Sequence, residues 1–297
     1  MAVICTNDYF DSNAAGIKIH YMKWEDKDVT PKAICLIAHG VAEHISRFDG
    51  IAEYLAKEGY VCYGEDHIGH GESAPTRDLM GTLPAGADED IVKDMHKLRD
   101  IAVAENPGLP EVIIGHSMGS FVAKLYCAAY GDELKGAVYC GSGDFFNWLR
   151  KIKKPFGMLV KLIGRNRQVK VSNNMLTTAW LSRSKKNREI YLADELMTYN
   201  YTPGLIEVLG FLAADSAGPI WAEKVRKDLP ILVVAGTQDI VGFCGIGVKN
   251  ADKAMKETGH TDVTTKWYKG YRHELFRDDC APEVYADVLA FLNRVLG

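Results

Sequence analysis

The chain has 297 residues, 47% of them hydrophobic and 25% charged, with a formal net charge of -4. This is the balance of a globular protein and it argues against a nucleic-acid partner; no uncharged apolar run of about 18 residues exists to span a membrane as a helix. The start, MAVICTNDYF, lacks the basic-then-apolar pattern of a signal peptide, and the seven cysteines (Cys5, Cys35, Cys62, Cys127, Cys140, Cys244, Cys280) are odd in number and widely spaced, so a reduced, cytoplasmic protein with free packing thiols is expected.

In chain order, YFDSNAAGIKIHYMKW reads as two extended segments around a turn, a hairpin. KAICLIAHG is a continuous apolar strand that stops at His39-Gly40. RFDGIAEYLAKEG is a short helix closed by Gly59, and YVCYGED is another buried strand. A helix is predicted from about Asp88 to Glu105, followed by the strand and helix of EVIIGHSMGSFVAK. KGAVYCGSG, LPILVVAGTQD and DVTTKWYKG supply three further strands, and a terminal helix runs from about Glu283 to Val295. Apolar strands alternating with amphipathic helices predict an α/β protein, with a mostly parallel sheet covered on both faces. The stretch from Asp144 to about Ala217 breaks the alternation and reads as a helical insertion over the active end of the sheet, a cap. The expected organisation is therefore core (1–143), cap (144–217) and core again (218–297).

Ser117 lies between Gly115 and Gly119, where the run Val112-Ile113-Ile114 ends and a helical pattern (Phe121, Val122, Leu125, Ala128) begins. So tight a strand-to-helix corner needs neighbours without bulk and leaves the serine hydroxyl standing above the sheet edge, a nucleophile elbow. A serine needs a base, and the base an orienting acid. In this arrangement both follow the serine, in the order acid then histidine. Only His260 and His273 lie beyond Ser117. Ligand chemistry in parallel sheets collects where strands end; His260 enters a strand and His273 leaves it, so His273 is the base. By the same test Asp239 is the favoured acid, and Asp144, which also follows a strand, is the alternative. The backbone N–H groups of Met118 and Val41 are the expected oxyanion donors.

HGVAEH, DHIGHGES, GHSMGS, GTQD and YRHEL, in this order and spacing, resemble the monoglyceride lipase and lysophospholipase group of α/β-hydrolases, which is filed alongside serine aminopeptidases. The resemblance covers the core on both sides of the insertion. It implies the α/β-hydrolase fold, a Ser117–Asp239–His273 triad, oxyanion donors at Val41 and Met118, and neither cofactor nor metal. The insertion matches only in position and length.

Asp66, His67, His70 and Glu72 of DHIGHGES resemble a ligand set, but no second cluster completes one, and a structural loop is expected. Glu43 and His44 are expected to hold the oxyanion loop or line the pocket mouth. Cys244 is a packing thiol or a modifiable thiol beside the pocket. From Phe145 to Arg188 the cap carries twelve basic residues and no acid, interleaved with Phe145, Phe146, Trp148, Leu149, Ile152, Phe156, Leu159, Leu162 and Ile163. Three readings stay open: a solvated face, an amphipathic surface resting on anionic lipid, or selection of anionic substrates. The expected function is a serine carboxylester hydrolase acting through an acyl-enzyme on small acyl esters of monoacylglycerol or lysophospholipid type. An aminopeptidase, for which Asp194, Glu195 and Glu207 could hold the substrate amine, an acyl thioesterase and a non-catalytic binding protein are the alternatives.

Overall fold

The structure, a computed structural model, describes residues 3–144 and 147–297; Phe145 and Phe146 of the cap lie outside the described residues. β1 (Ile4–Asp11) and β2 (Lys18–Glu25) form the antiparallel hairpin read from the sequence. The apolar runs become β3 (Ala33–Ala38), β4 (Tyr60–Glu65), β5 (Glu111–His116), β6 (Leu134–Cys140), β7 (Ile231–Gly236) and β8 (Val263–Tyr268). They assemble into one eight-stranded sheet in the order β1-β2-β4-β3-β5-β6-β7-β8. β2 joins β4 antiparallel, and β3 to β8 run parallel to one another. The fold is that of an α/β-hydrolase. Helices cover both faces, so β3, β4, β5 and β7 bury every residue, whereas β8, at the sheet edge, does not.

The helices are α1 (Asp49–Ala56), α2 (Ala87–Glu105), α3 (Met118–Tyr130), α4 (Lys153–Ile163), α5 (Lys185–Ala193), α6 (Pro203–Asp215), α7 (Gly218–Ala222), α8 (Ile246–Glu257) and α9 (Ala281–Leu296). Successive strand residues point to opposite faces. Ile34, Leu36 and Ile113 therefore pack with Ile91, Met95 and Leu98 of α2 and Val122 of α3. Cys35, Ile37 and Ile114 pack on the other face with Ile51 and Leu55 of α1 and Val288 and Leu292 of α9. Neither face has water to satisfy its backbone, and the parallel ladder does so instead.

Two differences from the sequence reading stand out. No element was read between Asp239 and the last strand, yet α8 forms there, burying Val248, Ala251, Ala254 and Met255 along one stripe. Half of that stripe is alanine, too small to stand out as an apolar periodicity. The insertion, read as helical, is only partly so: turns lie between α4 and α5, and Lys170 there makes an isolated bridge to Asn200, beyond α5.

The two ends of the insertion are tied together at the sheet. Asp144 Oδ2 accepts from the Gly218 N–H at 2.7 Å, and Asn250 Nδ2 donates to the Asp144 carbonyl at 3.2 Å. Arg150 donates to the carbonyls of Asp215 and Ala217. Lys153 bridges Asp215 at 2.6 Å and Asp88 at 3.3 Å. Leu181, Tyr191 and Met197 form a small separate core within the insertion.

Candidate active site

The corner between β5 and α3 carries Ser117 at φ 54°, ψ -121°, a left-handed backbone that a side-chain-bearing residue adopts only under constraint. The constraint is visible in its neighbours. A β-carbon on Gly115 would collide with the Gly119 carbonyl, and one on Gly119 with the carbonyls of Ala38 and His39. Both glycines are therefore required by close backbone approach, and neither has a positive φ. The Ser117 N–H donates to the Cys140 carbonyl at 2.9 Å, and Ser120 Oγ to the Ser117 carbonyl at 2.6 Å, which ties the corner to β6 and to the first turn of α3.

His273 leaves β8 and Asp239 leaves β7, and the register of these adjacent strands brings the two together: His273 Nδ1 stands 2.9 Å from Asp239 Oδ2. Asp239 Oδ1 accepts from the Val241 N–H at 2.9 Å. Burial alone would discharge both groups. The charge of Asp239, its hydrogen bond and the charges of Glu274 and Glu43 outweigh that, and hold the His273 pKa above the ordinary histidine value. Burial likewise opposes ionisation of Asp239, but His273 and the Val241 N–H draw its pKa below the usual carboxylate value. Ser117 Oγ and His273 Nε2 form no hydrogen bond in this resting arrangement; such contacts commonly tighten only when substrate arrives. Asp144, the alternative acid, has its carboxylate committed to the Gly218 N–H.

Met118 opens α3, so its N–H is one of the unpaired donors of a helix start. Val41 follows the turn at the end of β3 and lines the cavity in front of Ser117. Neither N–H donates to a protein acceptor among the described residues. The turn between them and the sheet is held by Glu43, whose Oε1 accepts from the Gly40 N–H at 2.7 Å and from His116 Nδ1 at 2.9 Å. His116 Nε2 in turn donates to the His273 carbonyl at 3.3 Å. Arg47 contacts Glu43 and Glu274 on the same buried network. Burial opposes the charge on Glu43, and His116, Arg277 and Arg47 more than compensate, so its pKa lies well below normal. The sequence suggested Glu43 as a support of this loop. It gave no sign of His116, which stands 73 residues away along the chain.

The remaining candidates are placed elsewhere. Asp66 accepts from the N–H groups of Ile45 and Glu72 and contacts His20, so it organises its own loop. The rings of His39, His67 and His70 pack together in tilted and edge-on contacts, and His39 Nε2 accepts from the His67 N–H. Cys244 is exposed on the loop after Asp239, with φ 51°. All seven cysteines are free. The three acids that could have received an amine are engaged elsewhere: Asp194 with His44 at 2.8 Å, Glu195 with Arg77 at 2.5 Å, and Glu207 with Arg165.

In front of Ser117 is a cavity of about 400 Å³, lined by Phe121, Leu149, Trp180, Tyr201, Leu209 and Val241 among others, with no charged side chain in its wall among the described residues. Such a wall suits an acyl chain and gives no counter-ion to an ammonium group.

Comparison with known proteins places the chain in a family. The sequence model of the family "Serine aminopeptidase, S33" matches residues 29–279. The monoacylglycerol lipase of Mycolicibacterium smegmatis is 28% identical over 95% of this chain and 95% of its own length. The monoglyceride lipase of Homo sapiens is 26% identical over 95% of this chain and 87% of its own. Among solved structures, a thermostable carboxyl esterase from Bacillus coagulans in complex with glycerol superposes with a TM-score of 0.90 at 26% identity, covering all of both chains.

Proposed function

We propose, for a chain that belongs to the serine aminopeptidase S33 family, that it is a serine carboxylester hydrolase acting on monoacylglycerol-like or lysophospholipid esters. Ester hydrolysis is favoured over aminopeptidase chemistry by the uncharged wall of the cavity at Ser117, which is the observation that carries the reading. Ser117 Oγ attacks the acyl carbonyl as His273 Nε2 takes its proton. Asp239 keeps the imidazole in the required tautomer and stabilises its cationic form. The N–H groups of Val41 and Met118 receive the oxyanion. Collapse of the tetrahedral intermediate passes the proton from His273 to the departing alcohol oxygen. Water then releases the fatty acid from Ser117 by the same steps in reverse. None of these steps calls on a metal or cofactor.

An aminopeptidase would have to seat a substrate ammonium near Ser117, and Asp194, Glu195 and Glu207 already serve His44, Arg77 and Arg165. Substrate and leaving group are read together by turnover of monoacylglycerols and lysophospholipids over an acyl-length series, with amino-acid arylamides alongside. Turnover that rises with acyl length on the esters, with arylamides inert, supports the proposal. Arylamide turnover exceeding that of every ester would overturn it.

The segment 144–217 is taken as a cap that also meets the lipid phase. α4 leaves Met158 73%, Leu159 49% and Leu162 83% exposed, beside the exposed lysines Lys154 and Lys161. An apolar stripe flanked by cations is the chemistry of a helix lying in an anionic interface.

A further inference from the structure

Between the irregular part of the cap and α5, the short run Ala179–Ser182 lies directly against the loop that carries His273. Arg272 donates to the carbonyls of Ala179 and Ser182. The Glu274 N–H donates to the Leu181 carbonyl at 2.9 Å, and Ser182 Oγ to Asp278 Oδ2 at 2.7 Å. The residues immediately before and after the base are thus both bonded to this run. Trp180 sits between the two attachments, and its ring lies 5.3 Å from that of His273, tilted by 39°.

Two further sides of the imidazole are packed as well. A methyl group on Gly141 would stand 2.9 Å from Cε1, and the His116 ring lies 4.8 Å away. The same Trp180 side chain lines the cavity beside Ser117 and Val41. It also packs against the cap's small core of Leu181, Tyr191 and Met197. One side chain therefore belongs to the substrate cavity, to the enclosure of the base and to the core of the cap.

We propose that Trp180 is a positioning residue for the general base: the cap, bonded to both neighbours of His273, sets the imidazole with its indole, and an acyl chain filling the cavity presses that indole home. The proposal rests on the ester-hydrolase reading above. Because Ser117 Oγ and His273 Nε2 are not hydrogen-bonded at rest, the last approach of the ring occurs with substrate present, and Trp180 is the wall that both groups share. Acyl length is then read in kcat as well as in KM, since binding along the chain is used to orient the base.

The test compares Trp180→Ala, Trp180→Leu and Trp180→Phe on p-nitrophenyl butyrate and a long-chain monoacylglycerol, with melting temperatures and pH profiles. Labelling of Ser117 by a fluorophosphonate is followed in parallel. It reports activation of the serine whatever the natural substrate, so failure of wild type on both esters would overturn the ester reading and leave the labelling arm to judge Trp180. For Trp180→Ala a fall in kcat of about 10- to 100-fold is expected, with slower labelling and loss of the acyl-length dependence of kcat. Phe, which keeps an aromatic face, should recover most of it. Leu keeps bulk without the plane and should recover little; it replaces Ala as the reading should Ala fail to fold. Removing the indole readmits water to the imidazole and favours its cation, so the acid limb of kcat/KM should move to higher pH. Asp239, Glu274, Glu43 and His116, the groups facing the ring, are unchanged in these variants. A rise in KM alone, with kcat, labelling and the acid limb unchanged, would make Trp180 a pocket wall only and overturn the proposal. Equal losses in Phe, Leu and Ala that follow melting temperature would overturn it too.

Discussion

At the scale of single residues, the triad proposed here, Ser117, His273 and Asp239, divides the work by charge and position. Ser117→Ala should lower kcat by roughly 10⁴- to 10⁶-fold with melting temperature nearly unchanged, measured as ester turnover and thermal unfolding. Asp239→Asn should cost roughly 10⁴-fold, because the imidazole loses its tautomer and its counter-charge. Asp144→Asn keeps an oxygen for the Gly218 N–H and should leave turnover near wild type. A crippled Asp144→Asn beside an active Asp239→Asn would show the acid assigned to the wrong residue. The base works in its neutral form, and Asp239 raises the pKa of His273, so activity should fall as pH drops through a value above that of an ordinary histidine. Loss of the Asp239 charge should move that limb of the kcat/KM profile to lower pH, and an unmoved limb would mean the limb reports another group.

Three elements meet at the scale of loops and corners: the turn after β3, the β5–α3 elbow and the loop after β8. Glu43 joins the first two directly through Gly40 and His116, and the third through the bond from His116 to the His273 carbonyl. Removing one partner from a buried charged network is costly because its counter-charges remain, on the order of 3–5 kcal/mol. Glu43→Ala should therefore lower both melting temperature and kcat, leaving Arg47 and Arg277 short of a buried anion and Gly40 without its acceptor. Glu43→Gln, which keeps an acceptor for Gly40, should recover part of the stability. Unfolding and turnover of the pair check this. Wild-type values in Glu43→Ala would show that the turn is held by the backbone alone. The glycines of the elbow were legible in the sequence, since their need is local. The Glu43–His116 bond was not, since nothing near either residue announces the other.

Across the whole molecule the cap's excess of positive charge divides into two parts. Arg150, Lys153 and Arg165 are bonded to core or cap partners, including Asp88, Asp215 and Glu207, so they fasten the cap down. Lys151, Lys154 and Lys161 are exposed and make no ion pair among the described residues. Reversing these three to Glu should leave hydrolysis of a short soluble ester unchanged and weaken attack on long-chain substrate in phosphatidylglycerol vesicles. Each cation near such a surface contributes about 1 kcal/mol. High salt should imitate the variant, as the attraction is screened within a Debye length of ~10 Å at 0.1 M. Equal loss on soluble and vesicle substrates, or vesicle binding indifferent to salt and to phosphatidylcholine, would remove the lipid contact from the account.

The periodicities of this sequence determined the α/β class, the succession of strands along the chain and the corner that exposes Ser117, because strand runs, helical stripes and tight turns are written in neighbouring residues. Position along the strands was enough to nominate Asp239 and His273, since strand ends gather on one edge of a parallel sheet. Only the tertiary structure decided which aspartate faces the imidazole, because that depends on the register of β7 against β8 and on Asp144 being taken by Gly218. It alone separated the anchoring cations of the cap from the exposed ones, and it alone laid Trp180 on His273 across 93 residues of chain. Contacts of that kind are made by packing between distant segments, and no local pattern of side chains encodes them.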